Sequence, residues 1–216
     1  MKTNKTYAVF GLGRYGRAVA KELVDNGMEV LAVDINQTIV NDSAPYLPIC
    51  KCADVTDAEV ITRLGVAEID TVIICMASNL EASVMAVTLC KEAGVKTVIA
   101  KCANEMHQKI LRRVGADEVV FPEKESGIRL AKNLLSSGFI DMISLSKDVS
   151  MVEINVKNEW LGKNLIELNL RKKYGFNVVA VKKGEEVNVD VNPEERFGAD
   201  TTLIVIANTA KLGKLK

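Results

Sequence analysis

The chain has no net charge: 28 lysines and arginines balance 28 aspartates and glutamates. That balance removes any global pull toward nucleic acid or an anionic membrane surface. It has a single histidine, His107, in 216 residues. His107 falls in a run that reads as a surface helix, where a solvated role is expected rather than a catalytic one. No paired acid–base constellation stands out elsewhere. No apolar run approaches the roughly 20 residues that a membrane-spanning helix needs. The longest are strand-sized, such as Thr71-Val72-Ile73-Ile74-Cys75. The start, Met1 to Tyr7, is short and polar and does not read as a secretory signal. The five cysteines, Cys50, Cys52, Cys75, Cys90 and Cys102, lack zinc-site spacing, because Cys50-x-Cys52 has no second pair to join. Several sit inside apolar patterns, as small buried hydrophobes of a reducing cytoplasm do. A soluble, cytoplasmic chain is expected, one that meets a membrane only through a partner.

What is present is concentrated near the start. Gly11-Leu12-Gly13-Arg14-Tyr15-Gly16 reads G-x-G-x-x-G directly after the apolar strand Tyr7-Ala8-Val9-Phe10. A helical pattern follows, and a second apolar run, Glu29 to Val33, ends at Asp34. Strand, glycine turn, helix, strand and acid in that order form the fingerprint of a nucleotide-binding βαβ unit. Gly11 permits the tight turn, Gly13 lets a phosphate approach the backbone, and Gly16 lets the helix pack closely. The helix N-terminus offers N–H groups and a positive dipole end to the phosphates. A carboxylate at Asp34 suits two ribose hydroxyls and repels a 2′-phosphate.

The pattern alternates through the first 120 residues. Strands are expected near 6–10, 29–33, 48–51, 70–75, 96–100 and 117–120, and helices near 15–26, 57–64, 79–93 and 104–113. Short, continuously apolar strands alternating with helices imply a doubly wound parallel sheet. Ligands bind such sheets at the carboxyl ends of the strands. Gly11, Asp34, Asp54, Met76-Ala77-Ser78 and Lys101 all fall there.

Residues 123–148 break the alternation. Ile128, Ala131, Leu134 and Leu135 make an amphipathic helical face, continued after Gly138 by Phe139, Ile140, Met142 and Ile143. Either a last helix packs on its own sheet, or helices cross to a second subunit. The second half is too apolar to face water, which favours association. From residue 149 the chain reads as a smaller α+β domain. Its expected strands are Met151–Val156, Asn177–Lys182 and Thr201–Ala207. A helix is expected from Asn164 to Lys173, ending at Gly175, and a turn at Lys183–Glu186. Such a small lobe often completes its core by dimerising.

Two features argue against an ordinary dehydrogenase. Arg14 stands inside the glycine turn, where a guanidinium can grip a terminal phosphate bidentately. No substrate machinery accompanies it. An NAD(H)-binding redox sensor or oxidoreductase is the alternative that Asp34 permits. A DNA-reading repressor would need a basic recognition module, and none is visible.

Gly11 to Gly16, with Asp34, Ala53-Asp54-Val55-Thr56, Lys101 and Phe121-Pro122-Glu123, resembles the RCK (KTN) cytosolic regulatory subunits of Ktr/Trk-type potassium uptake systems. Trp160-Leu161-Gly162-Lys163 and the run from Leu168 to Val178 resemble the RCK C-lobe, so the likeness covers essentially the whole chain. The resemblance implies a Rossmann-like N-lobe over 1–122, crossover helices over 123–148 and a C-lobe over 149–216. It implies ATP and ADP as ligands, with NADH in some members. It also implies homodimers assembled into an octameric ring beneath a membrane potassium transporter, which the ring gates.

Position by position, Gly11, Gly13 and Gly16 would cradle phosphates and Arg14 would reach the γ-phosphate across the dimer. Asp34 would hold ribose and Asp54 the adenine amino group. Lys101 would sit near the phosphates, with Tyr15, Val55, Ala77 and Ser78 as further nucleotide contacts. Glu123 would help hold Mg²⁺ or Ca²⁺ between two γ-phosphates, which repel without a cation; its other reading is an acid complementing a helix dipole. In the C-lobe the resemblance implies inhibitory cyclic di-AMP, with Arg171 facing a phosphate and Asn177 a base or phosphate. Otherwise Arg171 caps its own helix and Asn177 serves a turn. One departure stands out: the family often has Gly-Asp-Ala-Thr where this chain has Ala53-Asp54-Val55-Thr56.

Overall fold

A computed structural model describes residues 5–135 and 139–212. The chain forms two compact units, Met1–Pro122 and Glu123–Lys216.

In the first unit the strands are β1 (Thr6–Phe10), β2 (Glu29–Asp34), β3 (Ile49–Cys52), β4 (Thr71–Ile74), β5 (Thr97–Lys101) and β6 (Glu118–Val120). The helices between them are α1 (Arg14–Asp25), α2 (Gln37–Ser43), α3 (Ala58–Arg63), α4 (Leu80–Glu92) and α5 (Glu105–Arg113). The strands pair in parallel in the order β3-β2-β1-β4-β5-β6. Phe10 is level with Val33 on one side and Ile74 on the other, so the carboxyl ends line up. The order reverses between β1 and β4, and that switch point is where such sheets hold ligands.

The inner strands β2, β1, β4 and β5 are largely apolar because both their faces are covered, whereas the edge strand β3 (Ile49-Cys50-Lys51-Cys52) is mostly exposed. Ala8, Phe10, Val72, Ile74 and Val98 pack with Val87, Cys90 and Leu111 in one buried layer. Val9, Val30, Ala32 and Ile73 pack with Leu12, Ala20 and Leu47 in the other. Every fully buried aliphatic or aromatic side chain here contributes about 1.5–3 kcal/mol.

Helix starts carry a pattern that matters below. Asn36, Asp57, Asn79 and Asn104 cap α2, α3, α4 and α5 with side-chain oxygens that accept helix N–H groups. Helix α1 begins at Gly13, which has no side chain to cap with.

The second unit comprises α6 (Pro122–Leu135), β7 (Phe139–Ser144), β8 (Val149–Asn155), α7 (Leu165–Leu168), α8 (Leu170–Tyr174), β9 (Asn177–Lys183), β10 (Glu186–Asn188), β11 (Thr201–Asn208) and α9 (Thr209–Leu212). Its five strands form one antiparallel sheet ordered β10-β9-β11-β8-β7. Val152, Ile154, Leu203 and Val205 supply its apolar face and pack with Trp160, Leu168, Leu170 and Phe176. Tyr174 lies between the Trp160 and Phe176 rings, with centroids 5.9 and 5.6 Å away.

Several expectations are corrected. The segment after α6 is a strand, not a helix: Phe139–Ser144 pairs antiparallel with β8, from Phe139 opposite Ile154 to Ser144 opposite Ser150. Pairing with β8 along one edge gives this segment hydrogen-bond partners that a short helix would not share with the sheet. Gly138 lies outside the described residues, as do Met1–Asn4, and the expected apolar contacts of Leu135, Phe139, Ile140 and Met142 lie outside the described side chains. The helix expected over 164–173 is broken in two at Asn169, whose φ of +46° no continuing helix allows. Helix α2 and strand β10 went unforeseen. His107 is not solvated: it is 3% exposed, and its Nδ1 accepts the Ala103 N–H at 3.3 Å. Cys52 is exposed, whereas Cys90 and Cys102 are buried as expected, and none of the five cysteines is joined in a disulfide.

Candidate functional site

The glycine turn is shaped by contacts with its own protein. Gly11 adopts φ +89°, and a Cβ there would stand 2.7 Å from Cγ of Met76. A Cβ at Gly16 would stand 2.0 Å from the Gly11 carbonyl oxygen and 3.2 Å from Cβ of Cys75. Gly16 therefore lets α1 press onto the turn and onto the chain just past β4. Around Gly13 the situation is opposite, because a Cβ would meet nothing within 4 Å. The room beside Gly13 is open from outside, at the uncapped start of a twelve-residue helix. Its first turn holds no acid that would repel an anion.

A cleft of about 420 Å³ opens at the carboxyl ends of the strands. Gly11, Gly13, Asp34, Asp54, Val55 and Ser78 line it, together with Ile35, Ile39, Thr56, Met76, Asn79 and Ala82. Its volume suits a nucleotide-sized ligand. Oδ2 of Asp34 accepts the Leu12 N–H at 2.6 Å, and Oδ1 accepts the Asn36 N–H at 2.9 Å. Oδ1 of Asp54 accepts the Thr56 hydroxyl at 2.7 Å and the Thr56 N–H at 2.9 Å. Those two bonds hold the Asp54 carboxyl below the usual carboxylate range, so it enters the cleft as an acceptor. Burial pushes the Cys75 thiol up to about 12, although Lys101 pulls the other way. Cys75 therefore lines the cleft as a neutral, unreactive group.

The remaining expected residues lie around this cleft or away from it. Arg14, the first residue of α1, is exposed. Lys101 places its Nζ 5.5 Å from the centre of the Tyr15 ring, a cation–π contact at the start of the same helix. Neither they nor Gly16 and Ala77 line the cleft itself. Glu123 belongs to the second unit, in the first turn of α6. Among the described residues no group of three or more His, Cys, Asp or Glu side chains stands ready to hold a metal. Ile35, Ile39, Asn79 and Ala82 were missed by sequence reasoning. Ile35 and Asn79 directly follow strand-end motifs already singled out, and that placement was the available signal.

Arg171 and Asn177 come together in a separate cleft of about 250 Å³ within the second unit, with Leu165, Asn169, Leu170, Phe176 and Val178. The break at Asn169 and the left-handed Gly175 that ends α8 create this concavity. On helix α6, Ile128, Leu130 and Leu134 are 47%, 60% and 78% exposed among the described residues. No helix among the described residues is long and apolar enough to cross a membrane.

Comparison with known proteins places these features. Residues 7–122 match the TrkA-N domain family and residues 149–216 the TrkA-C domain family. The Ktr system potassium uptake protein C of Bacillus subtilis is 37% identical over 212 residues, covering 98% of this chain and 96% of its own. The Ktr system potassium uptake protein A of Vibrio alginolyticus is 36% identical over 218 residues, covering 100% and 99%. In structure, the GsuK channel superposes with a TM-score of 0.71 at 19% identity over 99% of this chain, which spans 39% of the channel's. Its NAD-bound form superposes at 0.65 with 18% identity, again over 99% of this chain and 39% of the channel's. A Rossmann-like parallel sheet joined to a small antiparallel lobe is the fold they share. The chain belongs to the family of paired TrkA-N and TrkA-C (RCK) domains that includes the Ktr system potassium uptake proteins.

Proposed function

We propose that this protein is the adenine-nucleotide-sensing regulatory subunit of a Ktr-type potassium uptake system, working at the cytoplasmic face of the membrane through its transporter partner. The observation that carries the reading is the start of α1. Four other helices of the first unit are closed by Asn or Asp side chains, whereas α1 opens at Gly13 onto a nucleotide-sized cleft. Its N–H groups suit phosphates, Asp34 suits a ribose diol, and Asp54 is held ionised to accept from an adenine amino group. The cleft holds acceptors and apolar walls but no nucleophile–base pair, which favours sensing over catalysis.

Sensing by such a site is a population shift. ATP and ADP move an assembly only to the extent that they bind its conformations with different affinity. Arg14 is the residue assigned to the third phosphate, reaching it from a neighbouring subunit. Glu123 would supply one carboxylate to a Mg²⁺ or Ca²⁺ ion between facing γ-phosphates; one acid is too few to hold the ion, so the phosphates would complete the shell. The exposed apolar residues of α6 support a homodimer, and an octameric ring of such dimers is the assembly we assign. The Arg171–Asn177 cleft is the place for cyclic di-AMP as an inhibitory second ligand. A second reading, NAD(H) in the same cleft, is favoured by Asp34 and by the NAD-bound state of the GsuK channel.

The test is Arg14→Ala. It should cut the preference for ATP over ADP about tenfold or more while leaving adenosine binding intact. Unchanged discrimination would remove Arg14 from the γ-phosphate.

A further inference from the structure

Asp34 occupies a joint in the fold that a ribose contact alone does not require. Its Oδ2 takes the N–H of Leu12, 22 positions earlier in the chain, and its Oδ1 takes the N–H of Asn36. Asn36 in turn caps α2 by accepting from Thr38 and Ile39. The Asp34 carbonyl accepts the Ala53 N–H at 3.1 Å. One residue thus ties the β1–α1 turn to the β2–α2 turn and to the end of β3.

Leu12 is the middle residue of Gly11-Leu12-Gly13 and is 0% exposed, its side chain seated in the layer with Val9, Ala32 and Leu47. With that side chain anchored and its N–H held at 2.6 Å, the peptide between Gly11 and Leu12 has one orientation. That orientation sets where the turn leaves room for phosphate. Without Asp34 a buried N–H would lose its partner, and the turn could recover one only by rotating toward water.

We propose that Asp34 is a positioning residue of the phosphate-binding turn as well as a ribose acceptor. Through Leu12 it couples the adenosine half of the cleft to the phosphate half. The proposal rests on the nucleotide reading above. Charge alone argues the opposite sign: a carboxylate near phosphates repels them, so removing it would tighten a triphosphate.

The ligand that separates these effects is 2′,3′-dideoxy-ATP, which has no ribose diol for Asp34 to hold. In the full-length protein, Asp34→Ala should weaken its binding about tenfold, the scale of one hydrogen bond to a charged acceptor. Asp34→Asn keeps one acceptor oxygen for Leu12 but gives up the bond to Asn36, so it should recover part of that loss. Amide exchange at Leu12, followed by NMR in the ligand-free protein, should be slow in the wild type and fast in Asp34→Ala. Dideoxy-ATP binding that is unchanged or tighter in Asp34→Ala overturns the proposal. If the wild type binds no adenine nucleotide, the nucleotide reading fails by itself; Leu12 exchange then decides the turn-holding role, and equal rates in wild type and Asp34→Ala overturn it. If Asp34→Ala does not fold, the wild type reports the same bond: a scalar coupling across the hydrogen bond from the Leu12 amide nitrogen to the Asp34 carboxyl carbon is expected, and its absence overturns the proposal.

Discussion

At the scale of the residue, Gly13 and Gly16 of one motif do different work. Gly16 is a packing residue. Its missing Cβ is what lets α1 meet the Gly11 carbonyl, so Gly16→Ala must push backbone against backbone. The expected cost is about 3 kcal/mol, read as a lower midpoint in urea unfolding. Gly13 is the residue proposed to leave room for phosphate. Its φ of −64° suits alanine and a Cβ there touches nothing, so Gly13→Ala should change stability by less than about 1 kcal/mol. The methyl would occupy the space a phosphate needs, and nucleotide affinity measured by calorimetry should fall about tenfold or more. His107 makes a third residue-scale prediction. Its Nδ1 accepts a backbone N–H, which only the neutral ring can do, and its Nε2 is buried without a partner. Burial lowers its proton affinity in the folded state. Above the ordinary histidine value of about 6.5 both states are neutral and His107 adds no pH dependence. Below it the unfolded chain binds the extra proton, so stability should fall with pH until the folded ring also titrates. His107→Gln should flatten that slope; an equal slope in unfolding experiments at pH 5–7 would contradict the assignment.

At the scale of the element, the parallel sheet was legible because its inner strands are buried on both faces and leave apolar runs. The glycine turn and the acid closing β2 were legible because strand, glycines, helix, strand and acid follow in a fixed order. Helix α2 was not, although Asn36 as its N-cap was a signal in the sequence. The strand β7 was misread as helix because an amphipathic helix precedes it and apolar composition alone does not set the period. The break at Asn169 depends on a left-handed residue that Asn tolerates and propensity does not announce. Helix α6 carries the element-scale prediction. Ile128, Leu130 and Leu134 are exposed within the chain, so a partner helix is expected to cover them. Leu134→Asp with Ile128→Asp should shift the protein to monomer in sedimentation velocity, with unchanged helical content by circular dichroism. A wild type that is already monomeric at micromolar concentration would rule out α6 as the dimer contact.

At the scale of the whole molecule, the account joins a nucleotide cleft in the first unit, an exposed amphipathic helix and a second cleft in the antiparallel lobe. The sequence could place Gly11, Asp34, Asp54, Met76-Ala77-Ser78 and Lys101 at one end of a sheet; Gly11, Asp34, Asp54, Met76 and Ser78 do line one cleft, and Ala77 and Lys101 do not. It could not show that Asp34 and Leu12 are bonded, because that contact needs the three-dimensional register of β1 and β2. The measurement that tests the central claim most directly is calorimetric titration of nucleotide-free protein with ATP, ADP and NADH, each with and without Mg²⁺. The account predicts binding of both ATP and ADP, with a cation dependence confined to ATP. Tight binding of NADH with no detectable ATP or ADP would contradict it.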